Sequence, residues 1–225
     1  MRQYGISFRE PFAYQLSPQS RPRTLLRLQA MKLFMVPNKI LKRSFYERDT
    51  RIVAFELIGK ILTFENEGRE FRGEIVETEA YLGAKDPASH AFRGPTPRNQ
   101  VMFGPAGFWY VYLIYGVHWM LNIVTGPKKY PAAVLIRGVQ GVSGPGRLTK
   151  HFKIQREFNG KKATAANKLW IEDRGTEVLR SEIRTTPRVG VDYAGPLWSQ
   201  KPYRFLWTPS KRNDKVTPNQ TSKDS

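Results

Sequence analysis

Phe108-Trp109-Tyr110-Val111-Tyr112-Leu113-Ile114-Tyr115-Gly116-Val117-His118-Trp119-Met120-Leu121-Asn122-Ile123-Val124 is a run dominated by aromatic and β-branched side chains. Such residues favour strands, and the Tyr115-Gly116 step near the middle predicts a hairpin that turns there. Working outward, Pro131–Val139 reads as a further strand. On the other side, Lys60–Phe64 and Glu70–Thr78 read as two strands joined by an Asn66/Gly68 turn. Asp49 is placed to cap a helix through Ile52, Val53, Phe55, Leu57 and Ile58, which Gly59 then ends. Residues 84–107 are loop-rich, carrying Pro87, Pro95, Pro97 and Pro105. Gly144–Ile154 predicts a short helix after glycine-proline punctuation, and Val189–Val191 and Tyr203–Trp207 predict short late strands. Strands and helices mix without a βαβ rhythm, so the fold class is α+β in a single mixed domain.

That domain is expected at 41–208. Residues 1–40 are expected to form a basic leader, whose first 35 or so residues set Arg2, Arg9, Arg21, Arg23, Arg27 and Lys32 against Glu10. An Arg-rich, acid-poor targeting segment, a disordered basic arm, and upstream sequence before a start at Met31 or Met35 all fit it. The tail 209–225 holds Val216 as its one aliphatic residue and is expected to be disordered.

The whole chain of 225 residues sets 37 Lys+Arg against 19 Asp+Glu, a net charge of +18. A folded domain this basic usually meets a polyanion, most often nucleic acid. The absence of cysteine removes disulfides, Cys-ligated zinc, iron–sulfur clusters and thiol nucleophiles together. No apolar stretch of about 18 residues is present, which excludes a membrane-spanning helix.

Chemistry concentrates in two places. In Phe71-Arg72-Gly73-Glu74-Ile75-Val76-Glu77-Thr78-Glu79-Ala80-Tyr81, strand alternation puts Phe71, Ile75, Glu77 and Glu79 on one face. Either the strand leaves the core and both acids are solvated, or one is a half-buried general base. Alternation does not choose between the two glutamates. In the hairpin, Tyr115 stands beside Gly116 at the tip. It is either an ordinary packed ring or a wedge that unstacks bases. His90, His118 and His151 lack metal-ligand spacing, so no metal and no cofactor are expected. Gly144-Pro145-Gly146-Arg147 only weakly suggests an anion nest, and Arg147 and Lys150 are candidate DNA-phosphate contacts.

Taken in order, several motifs carry a resemblance. They are Val76-Glu77-Thr78-Glu79-Ala80-Tyr81-Leu82-Gly83, Asp86, Ser89-His90, Thr96-Pro97-Arg98-Asn99, Met102-Phe103 and Tyr110-Val111-Tyr112-Leu113-Ile114-Tyr115-Gly116. Leu121-Asn122-Ile123, Val134-Leu135-Ile136-Arg137, Gly144-Pro145-Gly146-Arg147-Leu148-Thr149 and Pro187-Arg188-Val189-Gly190-Val191 continue the set. Over about residues 44–207 the chain resembles the alkyladenine (3-methyladenine) DNA glycosylase family.

The resemblance implies a curved antiparallel sheet flanked by helices and a monofunctional DNA N-glycosylase, a hydrolase of base-excision repair. Such an enzyme flips alkylated purines out of duplex DNA and hydrolyses the N-glycosidic bond, leaving an abasic site. By matching position, Glu79 would activate water and Arg137 would lie near that water and the target phosphate. Tyr81, His90 and Tyr112 would line the base pocket, Asn122 would screen out guanine, and Tyr115 would fill the vacated gap. The expected partner is double-stranded DNA carrying alkylated or deaminated purines, bound by a monomer with no membrane association. A bacterial source would place it in the cytoplasm at the nucleoid, a eukaryotic one in the nucleus. A catalytically silent nucleic-acid-binding domain is the rival reading, against which a carboxylate kept beside a polyanion argues. An RNA-modifying enzyme is disfavoured by the absence of an aromatic RNA-binding signature.

Overall fold

The computed structural model describes residues 39–208. The basic leader up to residue 38 and the tail from 209 lie outside the described residues. In chain order the elements are β1 (Lys39–Ile40), α1 (Arg43–Tyr46), α2 (Thr50–Glu56), β2 (Ile61–Asn66) and β3 (Arg69–Tyr81). There follow β4 (Trp109–Ile114), β5 (His118–Thr125), β6 (Ala132–Val139), β7 (Val142–Ser143) and α3 (Pro145–His151). The chain closes with β8 (Leu169–Asp173), β9 (Ile183–Thr186), α4 (Gly195–Ser199) and β10 (Arg204–Trp207).

The strands form a large open antiparallel sheet in the order β1-β8-β2-β3-β6-β5-β4, and the α+β class holds. β3 is its axis, and it exchanges partners along its length. Arg69–Glu74 pair with β2, whereas Glu77–Glu79 pair with β10, which in turn pairs with β9. On its other edge β3 meets β6 from Ile75 to Tyr81. That ladder carries register shifts between Ile75 and Glu77 and between Glu77 and Thr78. The partners step from Val139 to Gly138 and then to Ile136, so Val76 and Arg137 are the two residues left without one. Such bulges bend a strand and re-aim its side chains. The alternation expected from Phe71 to Glu79 is therefore interrupted, although Glu77 and Glu79 still reach a common partner.

The Asp49 carboxylate accepts from the Arg51 and Ile52 amides and opens α2. Val53, Ala54 and Leu57 bury one face of α2 and the turn after it, and Thr78 Oγ1 donates to the Ala54 carbonyl at 2.8 Å, which locks helix to sheet. Leu62, Ile75, Leu121, Ile123, Ile136 and Leu148 are fully buried in the same core. Each such side chain contributes about 1.5–3 kcal/mol relative to exposure.

One strand was misplaced by the sequence pattern. Residues 189–191 are not a strand; the ladder there is Ile183–Thr186. Pro187 has no N–H to donate and Gly190 turns the chain at a φ of 71°. Five short pieces, β1, α1, β7, β8 and α4, carry no strong periodic signal and lie outside the elements that the sequence pattern predicts.

Candidate active site

Glu79 is 0% exposed, and both of its oxygens are held. The Val189 amide donates to Oε1 at 2.8 Å and the Tyr81 hydroxyl donates to Oε2 at 2.8 Å. Arg137 Nη1 reaches Oε2 at 3.4 Å. Burial pushes the Glu79 carboxyl above its ordinary value, against the Arg137 charge and the Val189 and Tyr81 hydrogen bonds. The solvated reading of the two acids is overturned, because Glu77 is buried as well. Glu77 Oε1 accepts from Arg137 Nε and from Arg204 Nε, each at 2.7 Å. A carboxylate shared by two guanidiniums is committed to structure, so the geometry separates the acids where alternation did not.

Tyr81 links this cluster to a cleft of ≈ 340 Å³, open solvent at its mouth included, lined by Tyr81, His90, Tyr110, Tyr112, Asn122 and Tyr193 among others. His90 Nδ1 meets the Tyr110 hydroxyl at 2.9 Å, and its ring lies edge-on to Tyr112 with centroids 4.5 Å apart. Asn99 fixes this loop by donating through Nδ2 to the His90 and Gly94 carbonyls. Burial pushes Tyr110 up to about 12 and raises Tyr112 also, while burial and the Glu79 charge raise Tyr81. The three phenols are therefore neutral donors at physiological pH. Asn122, opposite Tyr110 in the hairpin ladder, donates through Nδ2 to the Tyr110 carbonyl at 3.1 Å and to Met120 at 3.4 Å.

The other residues singled out in the sequence stand apart from the cleft. Tyr115 occupies the hairpin tip and is 88% exposed, in a left-handed conformation with φ 52°. A packed ring would not be so exposed, so the packing reading of Tyr115 is excluded. Arg147 and Lys150 lie exposed on α3. α3 packs beside the hairpin, where Thr149 Oγ1 donates to the Trp119 carbonyl at 2.9 Å. Among the described residues, no group of three or more His, Asp or Glu could hold a metal ion.

A larger cleft of ≈ 1250 Å³, solvent included, is lined by Lys42, Phe45, Phe55 and Lys60 among others. It contains none of the residues above, and its acids Glu56 and Asp173 are paired with Arg48 and Lys60.

Sequence reasoning missed Tyr110, Tyr193 and the Val189 amide. Tyr110 shares the alternation of Tyr112 and was findable on that ground. A backbone N–H leaves no mark in a side-chain pattern.

A family model described as methylpurine-DNA glycosylase matches residues 44–143 and 140–211. Curated relatives carry the name "Putative 3-methyladenine DNA glycosylase". The one from Anaeromyxobacter dehalogenans is 46% identical over 172 residues, 73% of this chain and 82% of the relative. That from Psychrobacter cryohalolentis is 39% identical over 203 residues, covering 77% and 94% respectively. That from Wolbachia pipientis is 45% identical over 164 residues, covering 70% and 87%.

Proposed function

We propose that this chain, which belongs to the methylpurine-DNA glycosylase family, flips an alkylated purine out of duplex DNA into the tyrosine-lined cleft and hydrolyses its N-glycosidic bond. Membership makes it a DNA N-glycosylase, a hydrolase of DNA repair that is monofunctional, and DNA its substrate. The lesion class, 3-methyladenine and related alkylated or deaminated purines, and action as a monomer are our reading.

The observation that carries it is the buried Glu79 carboxylate beside that cleft. A base stacked in a duplex is out of reach of any side chain, so extrusion must precede chemistry, at a cost of a few kcal/mol. Alkylation at N3 or N7 leaves the purine cationic, and a cation against an electron-rich ring gains about 0.5–2 kcal/mol. Tyr81 and Tyr112 supply such rings. As the bond to the sugar breaks, positive charge develops on the sugar. Glu79 stabilises that charge and takes a proton from the attacking water, with Arg137 holding the carboxylate in place. The cationic purine leaves without protonation, so one carboxylate suffices, and the product is free base plus an abasic site. Tyr115 enters the gap in the stack, His90 and Tyr112 orient the base, Asn122 collides with the guanine amine, and Arg147 and Lys150 meet phosphates.

The test is release of free base from duplex oligonucleotides carrying one lesion each, read as alkali-labile abasic sites, for the wild type and Glu79→Gln. A wild-type protein that releases no alkylated purine overturns the reading.

A further inference from the structure

Arg188 and Asp86 form an ion pair with both side chains 0% exposed. Arg188 Nη1 donates to Asp86 Oδ2 and to the Ala80 carbonyl at 3.0 Å. Its Nη2 donates to Asp86 Oδ1 at 2.9 Å and to the Trp198 carbonyl at 3.5 Å. The remaining capacity of Asp86 is taken by the Leu82 and Ala88 amides, each at 3.0 Å. One guanidinium–carboxylate pair thus ties the end of β3, the turn after it, the segment around residue 188 and the α4 residue Trp198.

A buried ion pair is weak evidence for stability, since apolar residues of the same volume often serve as well. What this pair touches is more telling. Ala80 stands between Glu79 and Tyr81. The Arg188 guanidinium lies 4.8 Å from the centroid of the Tyr81 ring. The next peptide is the one whose N–H donates to Glu79 Oε1. Val189 itself is half exposed and precedes Gly190 at φ 71°, so little else fixes that amide. From this geometry we infer that Arg188, clamped by Asp86, is a positioning residue for the reaction, holding Tyr81 directly and Glu79 through the Val189 amide.

The inference rests on Glu79 being the base. The charged and titratable groups around Glu79 are Glu77 and Tyr81 on β3, Arg137 on β6, Tyr112 on β4, Arg204 opposite it on β10, Tyr193, and Arg188 with its partner Asp86. Of the hydrogen bonds that hold Glu79, the one from the Val189 amide is the one adjacent to the clamp. A hydrogen bond to the ionised form favours it, so losing the bond raises the Glu79 pKa.

The experiment follows the Glu79 carboxyl by ¹³C NMR titration, and single-turnover excision of 7-methylguanine against pH, in wild type, Arg188→Lys and the Asp86→Leu/Arg188→Met double variant. Thermal melting identifies the folded ones. In any folded variant the titration midpoint and the acid limb of the rate should both move up, by about half a pH unit or more. A folded variant with an unmoved midpoint overturns the inference and leaves Arg188 as packing. In the wild type, the Val189 amide should exchange slowly with solvent, and exchange at an unprotected rate overturns the inference whatever the variants do. Failure of the wild type to release base would sink the proposed function instead, with the Glu79 titration still readable.

Discussion

Arg137 divides one guanidinium between two glutamates, giving Nε to Glu77 at 2.7 Å and Nη1 to Glu79 at 3.4 Å. The division is possible because Arg137 is the unpaired residue of a bulge in β6, opposite the step from Glu77 to Thr78. The shorter contact goes to the acid that Arg204 also holds. Glu77 anchors the cation, and Glu79 keeps a looser, adjustable hold on it.

Changing Glu79 to Gln should therefore reduce excision by about 10²–10⁴-fold, the usual worth of a positioned acid–base group. Duplex binding should persist or tighten, because one negative charge is gone. Retention of activity within about tenfold, equivalent to roughly 1.4 kcal/mol, would remove Glu79 from the role. Glu77→Gln should lose less than Glu79→Gln, since a Gln carbonyl still accepts from Arg137 and Arg204.

The raised Glu79 pKa has two consequences of definite sign. Excision should fail on acidification at a pH above the ordinary glutamate value of about 4.3. For stability, the folded state holds the Glu79 proton more tightly than the unfolded chain does. Stability from this group is thus fully present below the unfolded pKa and is lost as pH rises through the folded one. Glu79→Gln escapes that loss, so its melting temperature relative to wild type should climb as the pH rises past the unfolded glutamate value of about 4.3. A difference that falls instead would show that Arg137, Val189 and Tyr81 outweigh burial.

Tyr115 combines near-complete exposure with a left-handed backbone that costs a non-glycine residue about 1–2 kcal/mol. Tyr115→Gly should relieve this, raising stability by about 0.5–1 kcal/mol. Excision should nevertheless fall, most in fully paired duplexes and least opposite a mismatch, where extrusion is cheaper. A glycine variant that gains stability and keeps full excision on matched DNA would leave the ring without a function.

Asn122→Ala should raise excision of undamaged guanine relative to wild type, because the collision with its exocyclic amine is removed. The variant loses hydrogen bonds to the Tyr110 and Met120 carbonyls, so a stability cost of about 1 kcal/mol is expected alongside. Unchanged discrimination in a folded variant would assign selectivity elsewhere.

The charge of +18 should be visible in salt. If about four to six phosphates are neutralised, the logarithm of affinity falls against log salt with a slope near −4 to −5. Lys150→Ala and Arg147→Ala should each flatten it by about one, uniformly across sequences. A slope unaffected by either would move the DNA path away from α3.

The hairpin, the capped helix at Asp49 and the β2–β3 pair were legible because each is specified by residues close in sequence. Glu79, Tyr81, His90, Tyr112 and Asn122 were named from motif order, and what the motifs could not convey was how they are held. Bulges at Val76 and Arg137 leave no compositional trace, since neither needs glycine. The Arg188–Asp86 pair joins residues too distant for any periodic pattern, and the Val189 amide is backbone, identical in every residue but proline. Residues 189–191 failed as a strand for the same reason that they matter: the Val189 N–H is turned toward the Glu79 carboxylate instead of a neighbouring strand.

The exchange of partners along β3 also bears on how the protein is made. Its first half is paired by β2, which leaves the ribosome earlier, whereas the half bearing Glu77 and Glu79 waits for β10 at Arg204–Trp207. The Arg204 side chain that completes the hold on Glu77 is 127 positions away in sequence, and the Val189 amide is 110 from Glu79. Contacts this distant form slowly and late. A nascent chain long enough to build the hairpin therefore already carries Glu79 but lacks the late contacts that hold it and its neighbour Glu77. Premature termination before β10 leaves two buried acids on an unpaired edge, a fragment fit for proteolysis and not a smaller enzyme.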